Sequence, residues 1–289
     1  MPDGSYYETV KRVLIIVLVL NLAVALAKLI YGWRTGSLSM ISDGFHSLFD
    51  GTSNIIGIVG IIIASRPPDL THPYGHSKFE TFSSIGIALL LFITCFEILQ
   101  SAVGRFLNPS VPNITTLSFM IMMVTIAVNI SVSWYENRKG KELGSSILIA
   151  DSMHTRSDIY ASMIVIAGFV LIKMGFILAD PIISILIALL IARMGLKIIK
   201  GSSEVLLDKA PLSEDLIKKM VCQLDEVEEC HRIRSRGEKS QIYIDLHITL
   251  KSCDSVNEAH KIAHQVENKL KSSIDGVKDV VVHVDPCDD

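Results

Sequence analysis

Apolar positions in this chain come in long uninterrupted blocks separated by short polar stretches, not in the interleaved pattern of a soluble core. The first block runs from about Val13 to Trp33 and the second from Leu38 to Ala64. The third spans Thr81 to Val103, the fourth Ile114 to Trp134 and the sixth Pro181 to Ile199. Each is long enough to cross a bilayer core of about 30 Å at ~1.5 Å per helical residue. Hydropathy alone would start the fifth block at Ile159. The polar motif described below argues for a start near Gly144, which gives six spans. A cleaved signal peptide is the alternative for the first block, since Ala25-Leu26-Ala27 resembles a cleavage site. Asp3 and Glu8 in the n-region, and apolar sequence beyond the supposed cut, speak against it.

After Lys200 the pattern changes to soluble-type periodicity. Pro211 to Val227 reads as an amphipathic helix and His231 to Arg236 as a first strand. From Gln241 to Lys251, Ile242, Ile244, Leu246, Ile248 and Leu250 alternate with Tyr243, Asp245, His247 and Thr249, which marks a strand with one buried face. A helix capped at Asp254 or Ser255 reaches about Lys271, and Val280 to Val284 closes the chain as a strand. The expected architecture is therefore a six-helix, all-α transmembrane bundle over residues 1–208 and a C-terminal α+β domain of order αββαβ over residues 209–289, with helices on one face of the sheet.

Composition fits this picture. The 289 residues are 49% hydrophobic, with a mean hydropathy of +0.44. The net charge of −3 argues against a nucleic-acid partner, and no Lys/Arg-rich run suggests one. Lys11, Arg12, Arg66, Lys78, Arg138, Lys139, Lys141, Lys197 and Lys200 fall on one side of the spans and Arg34, Arg105 and Lys173 on the other. The positive-inside rule then sets both termini in the cytoplasm. Residues 209–289 carry twelve Lys and Arg against sixteen Asp and Glu. The five cysteines (Cys95, Cys222, Cys230, Cys253 and Cys287) form no C-x-x-C pair and read as free thiols in a reducing compartment.

The chemistry lies in two charged insertions within the spans. Ile41-Ser-Asp43-Gly-Phe-His46-Ser-Leu-Phe-Asp50 and Ile149-Ala-Asp151-Ser-Met-His154-Thr-Arg-Ser-Asp158 both fit I-x-D-x-x-H-x-x-x-D, in a chain with nine histidines. Residues i and i+4 share a helical face, so each copy aims an imidazole and a carboxylate the same way. Two such faces meeting supply two nitrogens and two oxygens, a tetrahedral set suited to Zn²⁺. An ionisable residue at mid-bilayer costs about 2.5–3.5 kcal/mol on insertion scales, and a bound dication offsets it. His46 lies about 13 Å from the outer end of its helix, and His154 about 15 Å from the inner end of a helix begun near Gly144. Antiparallel second and fifth spans therefore bring the pairs to one depth. Asp43 and Asp151, one turn from each histidine, read as carboxylates behind the ligands or along the pathway.

These paired motifs, the six spans and the acidic-leaning tail resemble the cation diffusion facilitator family, from Ser37-Leu-Ser-Met to His283-Val-Asp285-Pro. The resemblance implies proton-coupled efflux of a divalent metal by a homodimer with a metallochaperone-like cytoplasmic domain. His46 with Asp50 looks like the zinc-type site of that family. An all-aspartate arrangement is more typical of manganese carriers. The resemblance further implies an interfacial loop site at Asp69, His72 and His76. It also implies a charge interlock between Lys78 and Asp208, and a cytoplasmic metal cluster of His231, His247, His260, His283 and Asp285. His264 and the cysteines fall outside the matched pattern.

The expected function is efflux of Zn²⁺, or of Cd²⁺, Co²⁺ or Fe²⁺, across the cell membrane by alternating access, with protons as the coupling ion. Two rival classes are an intramembrane metal hydrolase and a non-transporting metal sensor. Four protein ligands leave no open coordination position and no H-E-x-x-H occurs, so an enzyme is not expected. A sensor would bind metal at the tail without flux.

Overall fold

The computed structural model describes residues 4–35, 38–107, 116–173, 179–252 and 255–286; some side chains within these ranges, those of Asp43 and His46 among them, are outside the description. Its contacts divide the chain into two units, one spanning Tyr7–Ser202 and the other built on Ser203–Asp289.

The first unit is helical. Its helices are α1 (Gly4–Thr35), α2 (Leu38–Ala64), α3 (Lys78–Leu107), α4 (Thr116–Leu143), α5 (Ser146–Lys173) and α6 (Ala179–Leu206), the last of which runs on into the second unit. Among the described residues, four helices are long and apolar enough to cross a membrane, within α1, α3, α4 and α6; α2 contributes a shorter apolar stretch, Asp50–Ala64. Leucines, isoleucines and valines such as Ile16, Val19, Leu89, Ile93, Leu186 and Leu189 stand exposed on these helices, as lipid-facing positions must.

Small residues set the helix spacing. A Cβ added at Gly60 of α2 would lie 1.9 Å from Ser83 Oγ of α3, so only glycine allows this approach. The turn between α4 and α5 is equally tight. Gly144 adopts φ +70°, which an L side chain resists, and ends α4. Ser145 then caps α5: its Oγ accepts from Leu148 N–H at 3.4 Å and donates to Glu80 Oε1 of α3 at 2.5 Å. Helix α5 thus starts at Ser146, two residues after the expected Gly144, and the whole Asp151–Asp158 motif is helical.

The second unit holds α7 (Glu214–Val221), β1 (Val227–Glu238), β2 (Gln241–Leu250), α8 (Val256–Ser273) and β3 (Val277–Asp285). The sheet order is β1-β2-β3, with β1 antiparallel and β3 parallel to β2. Ile244, Leu246, Ile248 and Leu250 of β2 form a core with Ile217 and Val221 of α7 and Ile262, Val266 and Leu270 of α8. Both helices therefore cover the isoleucine face. The opposite face of β2, which carries Tyr243, Asp245, His247 and Thr249, is only half-buried. The expected amphipathic helix from Pro211 to Val227 is shorter than read, because Val227 opens β1.

Candidate metal centre

Ligating atoms of Asp50 on α2 and of His154 and Asp158 on α5 lie within 4.8 Å of one another. His154 is 5% exposed and the two aspartates are half-buried. A cavity beside them is lined by Asn21, Ser47, Asp50, Asn129, Thr155 and Asp158, all able to bond water or a hydrated ion. His46 shares α2 with Asp50, but its side chain lies outside the described residues. Three of the four expected ligands are thus brought together by two helices distant in sequence.

Behind this cluster runs a chain of two amides, Asn54 fully buried and Asn21 half-buried, that sequence reasoning missed. Asn21 of α1 donates from Nδ2 to Asn54 Oδ1 of α2 at 3.0 Å, and Asn54 Nδ2 donates to Asp151 Oδ2 of α5. Asp151 is fully buried. Glu136 of α4 is fully buried too, with Thr155 Oγ1 donating to its Oε2 at 3.4 Å. The fourth span was expected to end at Trp134, which left Glu136 outside it; α4 instead continues to Leu143. The signal for this was helical spacing of Ser133, Glu136 and Gly140, all on the buried face of α4. Lys28 of α1, 4% exposed, donates from Nζ to Ser47 Oγ at 2.8 Å, on the turn before Asp50.

The loop after α2 forms a second cluster, Asp69, His72 and His76, with ligating atoms within 4.8 Å. Asp69 organises it. Its Oδ1 accepts from Thr71 Oγ1 at 2.8 Å, from Thr71 N–H at 2.9 Å and from His72 N–H at 2.7 Å. These bonds, the Thr71 hydroxyl foremost, pull the Asp69 pKa down to about 2. His76 Nε2 stands 3.4 Å from Asp69 Oδ2, and the two imidazole rings are 4.4 Å apart.

In the tail, strand register builds the third cluster. His231 of β1 pairs with His247 of β2, which pairs with His283 of β3, so one rung of three imidazoles crosses the open face. Asp285 anchors them. His231 Nε2 is 2.9 Å, His247 Nδ1 3.2 Å and His283 Nε2 3.3 Å from its carboxylate oxygens. Burial is the largest single influence on the Asp285 carboxyl and raises its pKa, but the hydrogen bonds of His247 and His231 together with the charges of His247 and His283 outweigh it and hold the carboxyl below its ordinary value.

His260 departs from the expected cluster. It lies on α8, which packs on the isoleucine face, so within one chain the sheet separates it from the rung; its ring meets His264 instead. Cys230 also faces the core, where burial pushes its thiol up to about 11, so it stays neutral and outside the rung. Cys253 and Cys287 lie outside the described residues. Lys78 opens α3 and Asp208 follows α6 with φ +56°; they belong to different units.

Comparison with known proteins places the whole chain. A family described as the cation efflux transmembrane domain matches residues 14–207, and the cytoplasmic domain of cation efflux proteins matches 211–287. An uncharacterized transporter of Methanocaldococcus jannaschii is 38% identical over 281 residues, covering 96% of this chain and 99% of that protein. The manganese efflux system protein of Bacillus subtilis is 30% identical, covering 96% of each chain. The cation-efflux pump of Shewanella oneidensis is 29% identical, covering 90% of this chain and 88% of the pump.

Proposed function

The chain belongs to the cation diffusion facilitator family, a multi-pass membrane carrier of divalent metal cations, and on that premise we propose that it exports Zn²⁺ from the cytoplasm in exchange for protons. The observation that carries the proposal is the convergence of Asp50, His154 and Asp158 from α2 and α5. With His46 they would give the ion two imidazoles and two carboxylates, a set that suits zinc and also admits Cd²⁺, Co²⁺ and Fe²⁺. These ligands bind metal only when the imidazoles are neutral and the carboxylates ionised. Metal binding then expels protons, and protonation expels metal. Exposed alternately to the two sides, the site lets an inward proton gradient drive metal outward.

The working unit in this reading is a homodimer in the cell membrane with both termini cytoplasmic, made of a membrane part over residues 1–208 and a tail over 209–289. Lys78 and Asp208 would act as its charge interlock. Asp69, His72 and His76 form a loop site. The rung of His231, His247 and His283 with Asp285 binds metal in the tail, where the ordinary distances of imidazole and carboxylate to one ion are within reach of small side-chain shifts.

The test is flux in proteoliposomes. His154→Ala or Asp50→Ala should abolish zinc-stimulated proton flux, and normal flux in either variant would remove these residues from the mechanism. The manganese relative supports a second reading, in which the carboxylates carry a harder ion. A stopped-flow metal panel separates the two: transport of Mn²⁺ with none of Zn²⁺ would overturn the zinc assignment.

A further inference from the structure

Helix α1 carries a lysine inside its apolar span, beside the metal centre. Lys28 is 4% exposed, and its Nζ donates to Ser47 Oγ of α2 at 2.8 Å. Asn21 of α1 meets Asn54 of α2 at 3.0 Å. The two contacts are seven residues apart on each helix and run in opposite directions, so α1 and α2 pack antiparallel and Asp50 falls between the contacts. Asp50 is three residues beyond Ser47, a spacing that sets side chains on one face about 5–6 Å apart. We propose that Lys28 is the tethered counter-charge of the transport site: its ammonium balances the ligand carboxylates as the ion leaves, and so sets how readily the site releases its cargo.

An ammonium enclosed in a membrane span is costly unless an opposite charge faces it. Ser47 offers a neutral hydroxyl, which orients the ammonium but does not balance its charge. The carboxylates at helical spacing from Ser47 are Asp43, four residues before it, and Asp50, three after. Of these, Asp50 lines the cavity together with Asn21, Ser47 and Asp158. The helices are in close contact at this level. Ala25, one turn back from Lys28, is fully buried, and a Cβ added at Gly44 of α2 would lie 2.8 Å from Leu29 Cγ. Arg156, the cation within the α5 motif, is directed to α4 instead, where its Nε donates to Ser133 Oγ at 3.2 Å.

The ammonium changes the charge balance of the site. With neutral imidazoles, the carboxylates of Asp50 and Asp158 alone give a formal charge of minus two when the site is empty and zero when a dication is bound. One added ammonium makes these minus one and plus one. Desolvation cost grows with the square of the charge, so Lys28 turns a site that is costly to empty into one that tolerates both states. Transport needs this balance, because an ion held too tightly does not leave.

The lysine's role rests on the transport reading above, so Asp50→Ala is measured beside it. Full-length protein is reconstituted into vesicles, and zinc flux is followed against zinc concentration. Lys28→Gln removes the charge but keeps a donor for Ser47. It should reach half-maximal flux at about 10–100-fold lower zinc, since a like charge no longer opposes the dication. Its maximal rate should fall, because release slows. Lys28→Met, a second neutral variant, should behave the same way, and Lys28→Arg should restore the wild-type half-maximal concentration. A lysine that only clamps α1 to α2 predicts the reverse shift, since a loosened site binds more weakly. With Asp50→Ala inactive, an unchanged or raised half-maximal concentration in the neutral variants would overturn the proposal and leave the transport site standing. Full flux in Asp50→Ala would overturn both.

Discussion

Asp151 is fully buried in the helical unit, where its Oδ2 accepts from Asn54 and its carboxyl faces that of Glu136 on α4. A buried carboxylate held by so few donors depends heavily on each. Asn54→Leu should therefore destabilise the unit by about 1–3 kcal/mol, the usual cost of orphaning a buried polar group. Thermal unfolding in detergent measures this, and an unchanged midpoint would show that Asn54 is dispensable. At the same scale, Asp69 is held ionised by the Thr71 hydroxyl and the His72 and Thr71 amides. Its pKa is depressed, so its contribution is complete above the ordinary aspartate value of about 3.9 and fades only as pH falls toward about 2. A carboxyl NMR titration should find Asp69 still ionised at pH values where free aspartate is half protonated. The paired H-x-x-x-D motifs were legible because their spacing repeats. Asn21 and Asn54 were not, because a lone amide within a span has no period to betray it.

Among the elements, α2 shows how far periodicity reaches: its bounds are Leu38 and Ala64, as read from the apolar block. Helix α5 needed chemistry as well. Hydropathy would have begun it at Ile159, and only the demand that His154 share a depth with His46 moved the start to the Gly144 region, where Gly144 and Ser145 do end one helix and cap the next. The end of α4 was missed because Glu136 to Leu143 is polar yet still helical. Close packing at this scale gives a sharp prediction. Gly60→Val would drive its Cβ into Ser83 and should cost about 1–3 kcal/mol through overpacking. Combining it with Ser83→Gly should recover part of the loss, since the two positions share one contact. Strict additivity of the two variants in thermal unfolding would show that α2 and α3 do not meet there.

For the whole molecule, order and class of the elements were legible throughout, from six helices to the αββαβ tail. The expected packing of both helices on one face of the sheet holds, and it keeps His260, within one chain, on the side away from the rung. The helical stripe of Ile262, Val266 and Leu270 shows that α8 has an apolar face; only the folded sheet shows that it is spent on the isoleucines of β2. Removing residues 209–289 tests what the tail contributes. If the rung senses metal, the truncated carrier should need a different zinc concentration for half-maximal flux, read in the same vesicles. An unchanged value would confine the tail to assembly.

The way the three strands partition the tail has a practical corollary. Gln265 and Asn268 are exposed on the helical side, while the imidazole rung lies beyond the sheet. A spin label or dye attached through a cysteine at either position would be shielded from metal at the rung by a layer of aliphatic side chains. Such a reporter would watch the helical side of the tail with the whole sheet between it and the imidazoles.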